Sequence, residues 1–263
     1  MPVFELTEDI LFPPVRLADR SGLVAVGGDL SPARLLAAYR QGIFPWYGEE
    51  DPLLWWSPHP RFVLFPRELH ISGSLRALLR KNAFTITFDR DFPAVIEACG
   101  RPSPGRDETW ITPEMREAYL TLHELGYAHS VEARQGGNIV GGLYGVSLGR
   151  CFFGESMFTE VSNASKAAFV TLVERLGARD FKLIDCQVFT RHLQSLGARM
   201  IARKTFLNRL RLALAHPTLR GNWGERPGFI VQPGNPEAPG TRRLPVQNRR
   251  RAHGTEGKPG GLE

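Results

Sequence analysis

Three strand-like runs, at 129–134, 138–147 and 150–154, follow one another with only two or three residues between them. Gaps that short cannot carry a crossover, so neighbouring runs must pair antiparallel, with a hairpin turn at Gly145-Val146-Ser147-Leu148-Gly149. What flanks this meander is helical. Thr112-Pro113 opens a helix with Met115, Ala118, Tyr119, Leu122 and Leu125 on one face, ended by Gly126. Asn163 is expected to cap a helix from Ala164 to Leu176 that stops at Gly177. Phe84 to Phe88 alternates as a strand, Phe181 to Gln187 reads as a buried strand, and Thr190 to Leu196 as a short helix. Thr205 is expected to cap a last amphipathic helix through Leu207, Leu210 and Leu214. Helix, antiparallel strands, helix, strand, helix is the order of an α+β fold with helices packed on a sheet.

The first 75 residues differ from the rest. Pro13, Pro14, Pro32, Pro45, Pro52, Pro58, Pro60 and Pro66 punctuate them, and Trp46, Trp55 and Trp56 fall among them. A small, loop-rich domain over 1–75 is expected, with one clear helix opened by Ser31 as N-cap and Pro32 at its first position. A larger domain then spans 76–233. The segment 234–263, rich in Gly and Pro and nearly without large apolar side chains, is expected to be a disordered tail. It carries +3 of the chain's formal +6, so the remainder is only mildly basic, and charge alone does not establish a nucleic-acid surface.

Other classes fall away on composition. Among 263 residues no apolar run approaches the ~20 that a membrane span needs, and no signal-peptide pattern opens the chain. The three cysteines, Cys99, Cys151 and Cys186, lack CxxC spacing and fit a reducing cytoplasm. The seven histidines show no HExxH or other ligand spacing, so no metal is expected. Without a cysteine framework or heptads, a monomer is the default expectation.

Chemistry concentrates in three places. In Leu183-Ile184-Asp185-Cys186-Gln187, Asp185 and Gln187 interrupt a strand that should be apolar. Period-two geometry puts both on one face, with Ile184 and Cys186 on the other. Either Asp185 caps the following helix, or the pair faces a polar cleft, because an unpaired buried carboxylate is costly. Glu155, in Gly154-Glu155-Ser156-Met157-Phe158, is either a surface residue or a third member of that cleft, which would then suit an amine-bearing substrate. Of the aromatics, Trp55 or Trp56 is expected in the core, whereas Trp46, between Pro45 and Tyr47, is placed to stack on a base. Arg76, Arg80 and Lys81 form a basic helical patch, either a solvated face or a contact for RNA.

Three motif matches lead nowhere. Gly145 to Gly149 spells a nucleophile elbow, but a strand follows where that elbow needs a helix. Gly27-Gly28 and Gly141-Gly142 belong to no phosphate-binding fingerprint.

Taken together the motifs resemble the bacterial leucyl/phenylalanyl-tRNA–protein transferase family. The matching strings are Gly22 to Ser31 (GLVAVGGDLS), Gly42-Ile43-Phe44-Pro45-Trp46, Trp55-Trp56-Ser57-Pro58, Thr109-Trp110-Ile111-Thr112, and His123-Glu124-Leu125-Gly126. They continue with Gly141 to Gly145 (GGLYG), Gly154 to Phe158 (GESMF), Asn163-Ala164-Ser165-Lys166 and Leu183 to Gln187 (LIDCQ), over about residues 10–215. The resemblance implies a small N-terminal α+β domain followed by a mixed-sheet domain related to the acetyltransferase (GNAT-like) fold. It implies transfer of Leu or Phe, less readily Met, from aminoacyl-tRNA to proteins beginning with Lys or Arg, which marks them as N-degrons.

By the same resemblance Asp185 and Gln187 are the central catalytic residues, and Glu155 helps to hold the substrates. Trp46 and Trp110 lie by the terminal adenosine of the tRNA. Leu143, Phe169, Leu172 and Ile184 line the pocket for the transferred side chain, with Gly154 and Ser156 beside it. No cofactor is implied, since an aminoacyl ester is already activated. An acceptor α-amine with pKa ~7.7–8.0 needs positioning more than a strong base. The expectation is that the Gln187 side-chain oxygen accepts from the amine while Asp185 orients and polarises that amide. Two rivals remain: an acyl-CoA N-acyltransferase, whose pyrophosphate loop is not matched at Arg134 to Ile139 or at Gln194 to Arg199, and a non-catalytic RNA-binding protein, which leaves Asp185 and Gln187 unexplained.

Overall fold

A computed structural model describes residues 4–102 and 109–229. The tail expected at 234–263 and most of the loop expected at 100–108 lie outside them. The strands are β1 (Phe4–Leu6), β2 (Leu23–Gly27), β3 (Phe44–Pro45), β4 (Leu54–Trp56), β5 (Arg61–Leu64), β6 (Thr85–Phe88), β7 (Ala128–Gln135), β8 (Asn138–Leu148), β9 (Cys151–Thr159), β10 (Leu183–Gln187) and β11 (Arg199–Ile201). The helices are α1 (Pro32–Arg40), α2 (Gly73–Arg80), α3 (Phe92–Gly100), α4 (Pro113–Glu124), α5 (Ala164–Gly177), α6 (Arg191–Ser195) and α7 (Arg203–Leu214).

Most helix boundaries follow their caps. Ser31, Thr112 and Thr190 each accept a backbone N–H at the third following residue, satisfying one of the orphan donors at a helix start. Two expected caps are corrected. Asn163 sits in the left-handed region at φ 67° without a capping bond, its side chain turned to the Ser162 hydroxyl instead. The last helix begins at Arg203, so Thr205 is inside it. Helix α3 was not anticipated; Asp91 caps it and Pro93 sits in its first turn.

The strands form two sheets. The smaller has the order β1-β2-β4-β3, and the larger β11-β5-β10-β9-β8-β7-β6. The meander β6 to β9 is antiparallel throughout, with the expected hairpin between β8 and β9 turning at Gly149, φ 58°. Strand β10 then pairs parallel with β9 and antiparallel with β5. The fold is thus the expected α+β class, with a small N-terminal sheet and a mixed larger one. The chain changes sheets between Trp56 and Arg61, so strand β5, within the 1–75 segment, is built into the larger sheet.

Two apolar cores cover the larger sheet's faces. One gathers Val95 and Ile96 of α3, Met115 and Tyr119 of α4, Phe206 and Leu210 of α7, and Tyr39 of α1. The other gathers Phe169, Leu172 and Val173 of α5 with Trp223 and Phe229. Trp55 is fully buried, as expected of one of the pair, and its indole N–H donates to the Gly27 carbonyl at 2.9 Å. No helix among the described residues is long and apolar enough to cross a membrane.

Candidate active site

Two β-bulges create the site. The β9–β10 ladder runs from Leu183 opposite Cys151 to Asp185 opposite Phe153, and ends there. Just beyond it, β9 carries an extra residue: Tyr144 faces Ser156 and Gly145 faces Gly154, which leaves Glu155 unpaired. The backbone comes so close at this point that a Cβ on Gly145 would run into the Phe153 carbonyl oxygen. Strand β10 is irregular too, for Asp185 faces Val63 and Gln187 faces Phe62, with Cys186 extra. Gln187 closes that bulge at φ 61°, a left-handed conformation unusual for a residue with a Cβ.

The bulge overturns the period-two expectation that Asp185 and Gln187 share a face. Ile184, Cys186 and Gln187 line a cleft of about 430 Å³, and Asp185 does not. Asp185 points to the opposite side and is fully buried against Arg61, which donates from Nε to Oδ1 at 2.8 Å and from Nη2 to Oδ2 at 2.6 Å. The Arg61 guanidinium is itself held between the rings of Phe44 and Phe206, 4.6 Å from each centroid. Oδ1 of Asp185 also accepts from the backbone N–H of Gln187 at 3.0 Å. The carboxylate therefore fixes the bulge through the main chain; it does not touch the Gln187 amide, contrary to the expected polarisation. Its charge is met by Arg61 in a two-point pair.

Glu155 takes the place expected of Asp185. Gln187 Nε2 donates to Glu155 Oε1 at 2.9 Å, Tyr39 Oη donates to the same oxygen at 2.8 Å, and Tyr119 Oη donates to Oε2 at 2.9 Å. The two phenol oxygens are 2.5 Å apart. Burial pushes the Glu155 carboxyl up to about 7, although the two phenols and the Gln187 amide favour its ionised form; the Asp185 charge pushes it further up. Burial likewise holds both tyrosine hydroxyls well above their usual range, so they stay protonated. The nearby Cys186 thiol is raised by burial as well, which leaves it no thiolate to act as a nucleophile.

The cleft is apolar in the main. Leu143, Phe169 and Ile184 line it, with Gly154, Ser156 and Trp110. Two expected members do not: Leu172 is fully buried in the core of the α5 face, and Trp46 is 43% exposed outside the cleft, its ring edge-on to Trp56. Arg76 and Arg80 lie one turn apart on α2 and are exposed, as is Lys81 at its C-cap. Among the described residues no group of His, Cys, Asp or Glu has the arrangement of a metal site.

Sequence reasoning missed Arg61, Tyr39 and Tyr119 as members of this network. A signal existed for each. Arg61 heads the otherwise apolar run Phe62-Val63-Leu64, and both tyrosines lie on buried helix faces, where a phenol needs a partner.

The arrangement of an apolar cleft ending on an amide and a carboxyl suits the joining of two bound substrates, one with an apolar side chain and one with an amine. Comparison with known proteins agrees. The family model "Leucyl/phenylalanyl-tRNA protein transferase" matches residues 63–211, and that of its N-terminal domain residues 28–59. The leucyl/phenylalanyl-tRNA–protein transferase of Syntrophus aciditrophicus is 60% identical over 230 residues, 86% of this chain and 95% of that protein. That of Syntrophobacter fumaroxidans is 63% identical over 211 residues, 80% of this chain and 90% of that protein. Among solved structures, L-PGS from Bacillus licheniformis matches at 12% identity and a TM-score of 0.35, over 73% of this chain and 64% of that one. The family models and these two relatives define the class as that of the aminoacyl-tRNA-dependent acyltransferases. Within it, the chain belongs to the leucyl/phenylalanyl-tRNA–protein transferase family.

Proposed function

We propose that the chain transfers Leu or Phe, and less readily Met, from aminoacyl-tRNA to the α-amine of proteins beginning with Lys or Arg, in the cytoplasm and as a monomer, so marking them for degradation as N-degrons. The observation that carries this reading is the apolar cleft that ends on Glu155 and Gln187. Leu143, Phe169 and Ile184 offer the transferred side chain an apolar wall. With its Nε2 engaged by Glu155, the Gln187 amide presents its oxygen to an amine hydrogen. Asp185 holds that amide in register through the Gln187 backbone. Trp110, at the cleft, and Trp46, exposed beside Trp56, are the surfaces on which the terminal bases of the tRNA stack. Arg76, Arg80 and Lys81 supply charge for its phosphates.

The test is transfer of labelled leucine from Leu-tRNA to a peptide starting with Arg, beside matched peptides starting with Lys and Ala and with acetyl-CoA as alternative donor. Label on the Arg and Lys peptides alone is the expected result. Equal labelling of the Ala peptide overturns the acceptor rule, and acetylation overturns the donor.

A further inference from the structure

Three oxygen–oxygen contacts close a ring among Tyr39, Tyr119 and Glu155: phenol to phenol, Tyr39 to Oε1, and Tyr119 to Oε2. Each contact needs one hydrogen, and the two phenols bring two. With Glu155 ionised, both phenol hydrogens go to the carboxylate and the 2.5 Å phenol contact is left without one. With Glu155 protonated, three hydrogens fill three contacts. The ring is therefore one proton short when charged and complete when neutral.

We propose that this ring is the proton acceptor for the incoming amine: Glu155 takes one proton from the α-ammonium group of the acceptor protein, and Gln187 positions the nitrogen without deprotonating it. The proposal rests on the aminoacyl-transfer reading above.

Its proton balance closes. An acceptor α-amine with pKa ~7.7–8.0 arrives mostly as ammonium near pH 7 and cannot attack in that form. One of its three hydrogens passes to Glu155 and completes the ring. The neutral nitrogen then attacks the ester carbon, and the C–N bond forms as the C–O bond to the tRNA ribose breaks. A second hydrogen passes from nitrogen to the departing ribose oxygen, and the third stays on the new amide. Release of the ring's proton to solvent resets the site. A primary amide such as Gln187 cannot take up a proton near neutral pH, whereas a carboxyl titrating at about 7 is matched to the amine it serves.

The surroundings isolate this titration. Tyr39 faces Glu155 from α1, Tyr119 from α4, and Gln187 and Asp185 from β10; Asp185 is paired with Arg61 of β5. Tyr144 of β8 lies beside the two phenols, 5.4 Å from the Tyr119 ring, and His192 of α6 lines the same cleft, with burial lowering its pKa. The fixed charges among these groups are Asp185 and Arg61, which are matched to each other. Tyr39 and Tyr119 are thus positioning residues acting through Glu155. Tyr39 comes from the helix between strands β2 and β3 of the smaller sheet, so the N-terminal region completes the site.

The experiment has two readouts on the full chain. In the first, protein carrying ¹³C at glutamate side-chain carboxyls is titrated by NMR. One carboxyl with a midpoint near 7 is expected, absent in Glu155→Gln and moved up by about one pH unit in Tyr119→Phe, because a donor that favours the ionised form is lost. In the second, transfer to the Arg peptide is followed from pH 6.5 to 9. Glu155→Gln is expected to be about tenfold slow near pH 7 and to approach the wild type near pH 9, where the amine arrives neutral. A Glu155 carboxyl titrating in the ordinary carboxylate range overturns the proposal, as does a Glu155→Gln deficit equal at both ends of the pH range. Failure of the wild type to label the Arg peptide at any pH instead overturns the proposed acceptor, and the carboxyl titration still decides the state of the ring.

Discussion

Strands β9 and β10 each bury one carboxyl where their shared ladder ends, and the two are treated in opposite ways. Asp185 meets a guanidinium in a two-point pair, with the cation held between two aromatic rings. Glu155 meets only neutral donors, two phenols and an amide. A neutral donor lowers the cost of a charge but does not cancel it, so burial wins at Glu155 and its proton affinity rises. A buried charge matched by a cation becomes part of the scaffold, and one that is solvated only by dipoles stays available for chemistry. The division of labour between the two carboxyls is thus set by the partner and not by burial, which both share.

The largest test of this contrast removes the cation. Arg61→Met leaves Asp185 as an unpaired buried charge and is expected to cost about 3–5 kcal/mol in urea unfolding at pH 7, with Arg61→Met/Asp185→Leu recovering part of the loss. A cost as small as that of a surface ion pair would break the comparison.

The second test reads stability against pH. The Glu155 pKa is raised on folding from 4.5 to about 7, so its protonated form stabilises the fold at low pH, and that contribution is lost as pH rises through 7. The wild type is expected to lose up to about 3 kcal/mol relative to Glu155→Gln between pH 5 and pH 8, read from urea midpoints at each pH. Parallel curves would place Glu155 with Asp185 as a fixed structural charge.

The smallest effect sharpens the comparison. Tyr39→Phe removes two hydrogen bonds and no charge, and is expected to cost about 2 kcal/mol near pH 5.5. A loss as large as that of Arg61→Met would show that the phenols hold the fold together, as the guanidinium does.

The sequence displays the elements better than it displays the site. Helices α1, α4 and α6 begin where Ser31, Thr112 and Thr190 place them, because a cap is a local hydrogen bond that three or four residues determine. The meander is legible for the same reason: short gaps leave no alternative pairing. Asp185, Gln187 and Glu155 stand out as polar residues in apolar strands, but their directions do not. An alternation rule assumes unbroken pleating, and the bulges at Glu155 and at Cys186 break it at the two places that matter. Arg61 escaped notice because a cation at the start of a strand reads as solvent-facing, and its partner lies 124 residues further along the chain. Leu172 was assigned to the cleft by resemblance although it is core, a distinction that rests on which turn of α5 faces the opening.

The clamp around Arg61 carries a consequence for how the chain is made. Its two rings come from Phe44, ahead of Arg61, and from Phe206, in the first turn of α7. During synthesis the small sheet, β5 and the whole meander emerge before Phe206 does, and Tyr39 must wait across 116 residues for Glu155. Contacts of such long reach form late and slowly on a growing chain. A nascent chain released before α7 would hold Asp185 and Arg61 with only one of the two rings, so the clamp is complete only once α7 has emerged. Termination ahead of α7 should therefore leave the Asp185–Arg61 pair open to water on the side that Phe206 covers.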